Sequence, residues 1–258
     1  MNSITFHVLL AGVVSTVAGL ILQAIGRAAF SYFRADDTKE LAGVVGLRVS
    51  AIFGIAVGLI FGSTAAQFVE AKKNLLEEAR LMSTLYVLAE NSPDIANSGA
   101  VRDNFRRYVK ASANELDHPE EADESAQATN QLLLKFCRQM APDAGEPAET
   151  LWTKSEFQRS CAKLIDARGT RRIGAKEKYV ASPFWIFFIV SFSFLAILFG
   201  VFDARLINVI FSSLFYFATG VTAMLIYAAS DPYHDPGRVS SAPLTQWISR
   251  IDSIDGGK

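Results

Sequence analysis

Four stretches of this chain, residues 4–26, 44–66, 184–202 and 206–230, are almost wholly apolar, and the only Asp, Glu, Lys or Arg in any of them is Arg48. A helix needs about 20 apolar residues to cross the hydrocarbon core of a bilayer, and each stretch meets that length. In lipid every backbone N–H and C=O must be satisfied within the segment, so each stretch folds as a helix. The remainder is different in kind. Half of the 258 residues are hydrophobic and 20% are charged, at a mean hydropathy of +0.23, with the charges gathered mostly between residues 70 and 178. The pattern predicts an all-α chain of four transmembrane helices, with a helical polar domain inserted between the second and third.

The expected division is residues 1–66 for transmembrane helices 1 and 2, 67–182 for the polar domain, 183–230 for a transmembrane hairpin and 231–258 for a C-terminal tail. The first apolar run lacks a basic n-region, is too long for an h-region and is followed by no small-x-small cleavage site, so it reads as a membrane helix and not a signal peptide. Basic residues set the orientation. Lys72, Lys73, Arg80, Lys163, Arg168, Arg171, Arg172, Lys176 and Lys178 flank the inserted domain, against Arg27, Arg34, Lys39, Arg48 and Arg205 on the other side. The expectation is a multi-pass protein of the plasma membrane with the polar domain and both termini in the cytoplasm.

The second apolar run places a small residue at every fourth position: Gly46, Ser50, Gly54, Gly58, Gly62 and Ala66. Lipid tails are as apolar as leucine, so membrane helices associate by close packing, and a small-residue row lets backbones approach. Gly54, Gly58 and Gly62 are therefore expected at a helix–helix contact. About 100° around the helix a bulky row follows, Phe53, Val57 and Phe61. Either these face lipid, or copies of the helix surround an axis and the bulky row narrows a pore into an apolar constriction. Arg48 lies about a turn inside the same helix, as a snorkelling anchor or as part of an outer vestibule that attracts anions.

From residue 67 to 90 there is no Pro or Gly, so helix two is expected to continue beyond the membrane until Asn91-Ser-Pro93 stops it. Further helices are expected over about 101–116, 121–140 and 149–178, with Ser182-Pro183 as N-cap and first residue of transmembrane helix three. The chemistry is sparse. Cys137 and Cys161 have no Cys-x-x-Cys spacing and read as reduced thiols in helix cores. The three histidines fit no metal template, and no phosphate-binding, metalloprotease or hydrolase motif occurs. Glu77 and Glu78 point about 100° apart and read as solvated or paired with Lys73 and Arg80. Arg171-Arg172, just before a membrane helix, reads as an anchor for anionic headgroups and not as a nucleic-acid patch. No enzyme, metal, cofactor or nucleic-acid partner is indicated.

Glu77-Glu-Ala-Arg-Leu-Met-Ser-Thr-Leu-Tyr86, Arg106-Arg-Tyr-Val109, Leu164-Ile-Asp166 with Arg171 ahead of Pro183, and Pro232-Tyr-x3-Gly237-Arg-Val-Ser240-x2-Pro243-Leu244 resemble the bestrophin-like domain family of bacterial membrane proteins. The resemblance covers most of the chain after about Gly46. It implies homopentameric ion channels with four transmembrane helices per subunit, cytoplasmic termini and a pore lined by the second helix through a bulky apolar neck. For this chain it implies a homo-oligomer in the bacterial inner membrane, passing an inorganic ion, with Phe53, Val57 and Phe61 as neck candidates and Ile52, Ala56 and Ile60 as a competing row. Two other classes share the layout: a non-conducting scaffold or sensor whose helical domain binds a partner, and a stator-like subunit.

Overall fold

The structure, a computed structural model, describes residues 3–33, 36–90, 99–139, 142, 145, 147–176 and 180–255, and among them there is no strand. The helices are α1 (Ser3–Ala29), α2 (Asp36–Glu90), α3 (Gly99–Asp117), α4 (Ala122–Arg138), α5 (Ala148–Lys176), α6 (Ser182–Phe199), α7 (Leu206–Ser230) and α8 (Ala242–Asp255). Short 3-10 turns, Phe30–Phe33 and Pro119–Glu121, follow α1 and precede α4. Four helices are long and apolar enough to cross a membrane: α1, α2, α6 and α7. The proposed breaker Asn91-Ser-Pro93 lies outside the described residues. Ala181, not Ser182, is the N-cap of α6, with Pro183 in the first turn and no side-chain cap bond. A proline there forfeits nothing, because the first-turn N–H groups have no intrahelical acceptor.

The chain forms two compact units, 1–68 with 178–237 and 69–177 with 238–258, and α2 contributes to both. In the first unit α1 packs on α6 and α7. Gly220 of α7 lies against the Ala11 carbonyl and the Ser15 side chain, and Gly200 lies against the backbone of Gln23 and Arg27. Any side chain at either position would strike a neighbouring helix, which is the small-residue packing that membrane helices use. Between these contacts Gln23 is buried, donating weakly to the Phe199 carbonyl (3.5 Å) and Ser212 (3.4 Å) and accepting from the Tyr216 hydroxyl at 3.4 Å. The outer surfaces of these helices stay apolar, with Val14, Ile25, Ile189 and Leu206 all more than half exposed. Contiguous apolar surface of this kind is compatible with lipid as solvent and not with water.

In the second unit polarity again marks the buried side. Phe157, Cys161, Leu164, Arg168 and Arg171 form one stripe of α5 at alternating spacings of four and three, and all are buried. The matching stripes are Ala71, Leu75, Glu78, Met82 and Leu85 on α2, and Val101, Phe105, Tyr108, Ser112 and Glu115 on α3. An aromatic chain ties the helices together, with ring centroids 5.6 Å apart for Tyr86–Phe105, 5.1 Å for Phe105–Phe136 and 5.2 Å for Phe136–Phe157. Spacings in this range are those of favourable edge and tilted pairs.

The expectation of two reduced thiols is corrected here. Cys137 of α4 and Cys161 of α5 are joined in a disulfide, their Cα atoms 6.1 Å apart. Both occupy the buried stripe of their helix, and Gln158 donates to the Cys137 carbonyl at 2.7 Å beside them. The C-terminal stretch read as a tail folds with this unit. Arg238 donates to the Asp117 carbonyl at 2.6 Å, Ser241 donates to the Asp117 carboxylate at 3.1 Å, and α8 packs on α3.

Candidate functional site

Within the membrane unit, α2 has two sides that composition alone does not distinguish. Phe53 (5% exposed) and Val57 (9%) belong to a core with Val180, Phe188, Leu195 and Ile226 of the same chain, and the Phe53 and Phe188 rings lie 5.3 Å apart. Ile60 packs against that core, and Thr64 is buried with its hydroxyl donating to the Ile60 carbonyl at 2.9 Å. The side opposite carries Ile55 and Leu59, 65% and 70% exposed, with Ile52 beside them. Phe61 keeps an outward position at 39% exposure. A Cβ added at Gly54, Gly58 or Gly62 would meet nothing within 4 Å, in contrast to Gly200 and Gly220. Among the described residues these three glycines therefore touch no other helix of their own chain, whereas a Cβ at Gly46, at the start of the row, would meet the Leu198 side chain of α6 at 3.3 Å. Of the three bulky candidates, two are turned inward onto α6 and α7 and one is turned out. Arg48 is exposed on α2.

The second feature is a buried ionic network in the polar unit. Glu78 on α2 accepts from Arg171 Nε at 2.6 Å and from Arg171 Nη2 at 3.3 Å. Its other contacts come from α3: Ser112 donates at 3.0 Å, and the Tyr108 hydroxyl lies 3.5 Å away. Arg171 also donates to Ser112 at 3.0 Å, and its Nη2 stands 3.7 Å from Glu115. Arg168, one turn earlier on α5, gives Nη2 to both oxygens of Glu115, at 2.6 and 2.8 Å. Two carboxylates and two guanidiniums thus balance inside the core. Desolvation works against the Arg171 charge, but Glu78's charge and hydrogen bonds outweigh it and hold the guanidinium above its ordinary pKa. Burial, reinforced by Glu78, pushes the Tyr108 phenol far above its ordinary range.

Two sequence expectations change accordingly. Glu77 does pair with Arg80, at 2.7 Å on the surface, and that hydrogen bond lowers its pKa. Its neighbour Glu78 is fully buried and bound to Arg171, neither solvated nor paired with Lys73 or Arg80. Arg171 is 3% exposed and so is no headgroup anchor. The physical reason is helical phase: Glu78 shares the stripe of Leu75 and Met82, and Arg171 shares that of Leu164. That stripe was the signal available. The network can fix α2 to α3 and α5, but it presents no nucleophile or base to a cleft. Among the described residues no group of His, Cys, Asp and Glu could hold a metal ion.

Comparison with known proteins bears on this organisation. No curated protein matches the sequence. Solved structures do: a mutant form of a bacterial Bestrophin homolog from Klebsiella pneumoniae is 15% identical with a TM-score of 0.67, covering 93% of this chain and 97% of that one. A second mutant form of the same protein is 16% identical with a TM-score of 0.66 over the same shares. A mutant described as a membrane protein is 17% identical with a TM-score of 0.58, covering 97% of each chain. At such identities the likeness is one of fold. The model of the Bestrophin-like domain matches residues 13–244, nearly the whole chain, so this membrane protein belongs to the Bestrophin-like domain family.

Proposed function

We propose that the chain is the subunit of an oligomeric ion channel whose pore is lined by the outward side of α2. The observation that carries this reading is the asymmetry of α2 inside its own chain. One side is spent on α6 and α7, while Gly54, Gly58 and Gly62 with Ile55 and Leu59 have no partner. Copies of the chain arranged about an axis would use the glycine row for backbone approach between subunits. They would then turn Ile55 and Leu59, one turn apart, into stacked apolar rings that exclude water and so gate without charge. The neck is therefore assigned to Ile55 and Leu59, with Ile52 flanking. Phe53 and Val57 are engaged in the subunit core, and Phe61 lies beside the glycine row. Arg48, exposed nearer the start of α2, stands at a mouth of this pore. The excess of basic residues around the polar unit favours the cytoplasm for that unit and for both termini.

Ion flux from liposomes containing only this protein tests the proposal. The double variant Ile55→Ala with Leu59→Ala widens and wets the constriction and raises flux over the unaltered chain. Leu10→Ala, on the exposed side of α1, leaves flux unchanged. If the double variant inserts, assembles and conducts no more than the unaltered chain, the neck assignment fails and a non-conducting scaffold takes its place.

A further inference from the structure

Cys137 and Cys161 are the only cysteines in the sequence, and their bond ties α4 to α5. α4 packs far more extensively on α3 than on α5, so this bond is a leading constraint on the α4–α5 contact. Beside it stand two noncovalent ties, the Phe136–Phe157 ring pair and the Gln158 bond to the Cys137 carbonyl. The two sulfurs differ in setting. Cys161 lies in the middle of α5, whereas Cys137 is the last residue but one of α4. The final carbonyls of a helix lack intrahelical donors, and here the end is closed by a long bond from the Gln139 N–H to the Phe136 carbonyl, at 3.3 Å. Helix ends of this kind open locally at far lower cost than global unfolding. Such opening uncovers the Cys137 sulfur, which is buried in the closed form, while Cys161 stays within α5.

Basic residues around the polar unit favour the cytoplasm, where thiols are kept reduced and the disulfides that form are mostly transient, catalytic or redox-sensing. We propose that Cys137–Cys161 is a reversible thiol–disulfide switch that sets how tightly α4 is held to α5. The inference rests on the cytoplasmic placement of the polar unit and on no property of the pore. A thiolate of a dithiol reductant attacks Cys137 Sγ, forming a mixed disulfide; the bond to Cys161 breaks, and Cys161 leaves as a thiolate that takes a proton. The second thiol of the reductant then displaces Cys137, which is protonated in turn. Two electrons have passed to the protein, and the reductant is left as a disulfide. A small-molecule disulfide reverses both steps, restoring the bond and being reduced to two thiols. In the reduced form the ring pair and Gln158 still seat α4, so the fold persists while the end of α4 opens more often. Cys161 stands two turns before Arg168, so the switch acts on the helix whose arginines hold Glu115 and Glu78.

The test needs no ion flux, so its outcome is separate from that of the channel reading. The full chain, purified without reductant as the oxidised form, is placed in nanodiscs and equilibrated in buffers of reduced and oxidised glutathione. Acid quenching, alkylation in denaturant and intact mass then give the fraction of chains carrying two alkyl groups. The pair passes reversibly from disulfide to dithiol across the series while the helical content holds. Hydrogen exchange in the last turn of α4 is at least about tenfold faster in the dithiol form. The variant with Cys137→Ser and Cys161→Ser exchanges at that faster rate in every buffer. In unstressed cells quenched in acid the pair is mostly dithiol, and a thiol oxidant converts it to the disulfide. A bond that resists every buffer short of denaturation, unfolding of the unit on reduction, equal exchange in the two forms, or a pair wholly oxidised in unstressed cells would each overturn the proposal.

Discussion

Replacing Glu78 by Gln keeps the shape of the side chain and removes its charge, which leaves the Arg171 guanidinium buried without its 2.6 Å partner. Breaking a buried pair from one side costs about 3–5 kcal/mol, because an uncompensated charge remains in the core. The lower end applies, since a glutamine oxygen can still accept from Arg171 and Glu115 stands 3.7 Å away. About 3 kcal/mol in a chain of this size lowers the melting temperature by about 6–12 °C. Thermal unfolding of the detergent-purified chain, followed by tryptophan fluorescence, measures it. Glu77→Gln is the control one residue away: its pair with Arg80 is exposed and screened, so its shift stays within about 2 °C. Replacing Glu78 and Arg171 together by Met restores most of the loss, because a packed apolar pair is often as stable as the ion pair it replaces. If Glu78→Gln melts with Glu77→Gln, or if the double replacement is merely the sum of its parts, Glu78 is not held by Arg171 in the core.

Gly58→Leu meets nothing in its own chain, so the subunit folds with unchanged secondary structure while native mass spectrometry shows loss of the oligomer; an intact oligomer would remove the glycine row from the subunit contact. Cys137 and Cys161 are joined, so the intact mass of the denatured, unreduced chain is lower by two hydrogens than after reduction, and thiol alkylation in denaturant finds neither residue until a reductant is added. Cys161→Ser opens a crosslink spanning a sequence separation of 24 and lowers stability by about 3 kcal/mol, whereas an unchanged midpoint in chemical denaturation would contradict the bond.

Length and polarity carried most of the architecture into the sequence. Four apolar runs, a Pro- and Gly-free stretch after the second and a tight Asp203-Ala-Arg205 turn between the last two are enough to place α1, α2, α6 and α7. What did not show was azimuth inside the membrane. Where lipid lies on one side and protein on the other, both sides of a helix are apolar, so Phe53 and Ile55 look alike although one faces Phe188 and the other faces away. In the polar unit the apolar stripes carry the azimuth of Glu78, Glu115, Arg168 and Arg171, but their charge outweighs that signal, so Glu78 reads as solvated or surface-paired and Arg171 as a headgroup anchor. Their pairing did not show, because it joins residues as far as 93 positions apart. The disulfide was hidden for the same reason, since no short spacing marks two cysteines brought together by separate helices.

The unbroken run of α2 from Asp36 to Glu90 has a consequence of its own. With no loop between Ile55 and Glu78, the rotational offset between them is set by residue count alone, about 140° at 3.6 residues per turn. By residue count Glu78 therefore shares its helical bearing with Phe53 and Val57, and each of the three is buried within its own unit. One residue inserted near Gln67 would swing everything upstream by about 100° along the helix and present Ala56 and Ile60 on the bearing where Ile55 and Leu59 now stand. Seven inserted residues would return the bearing to within about 20° while lengthening the helix by about 10 Å. In such a helix the count of residues between its two ends constrains the structure as much as the identity of any one of them.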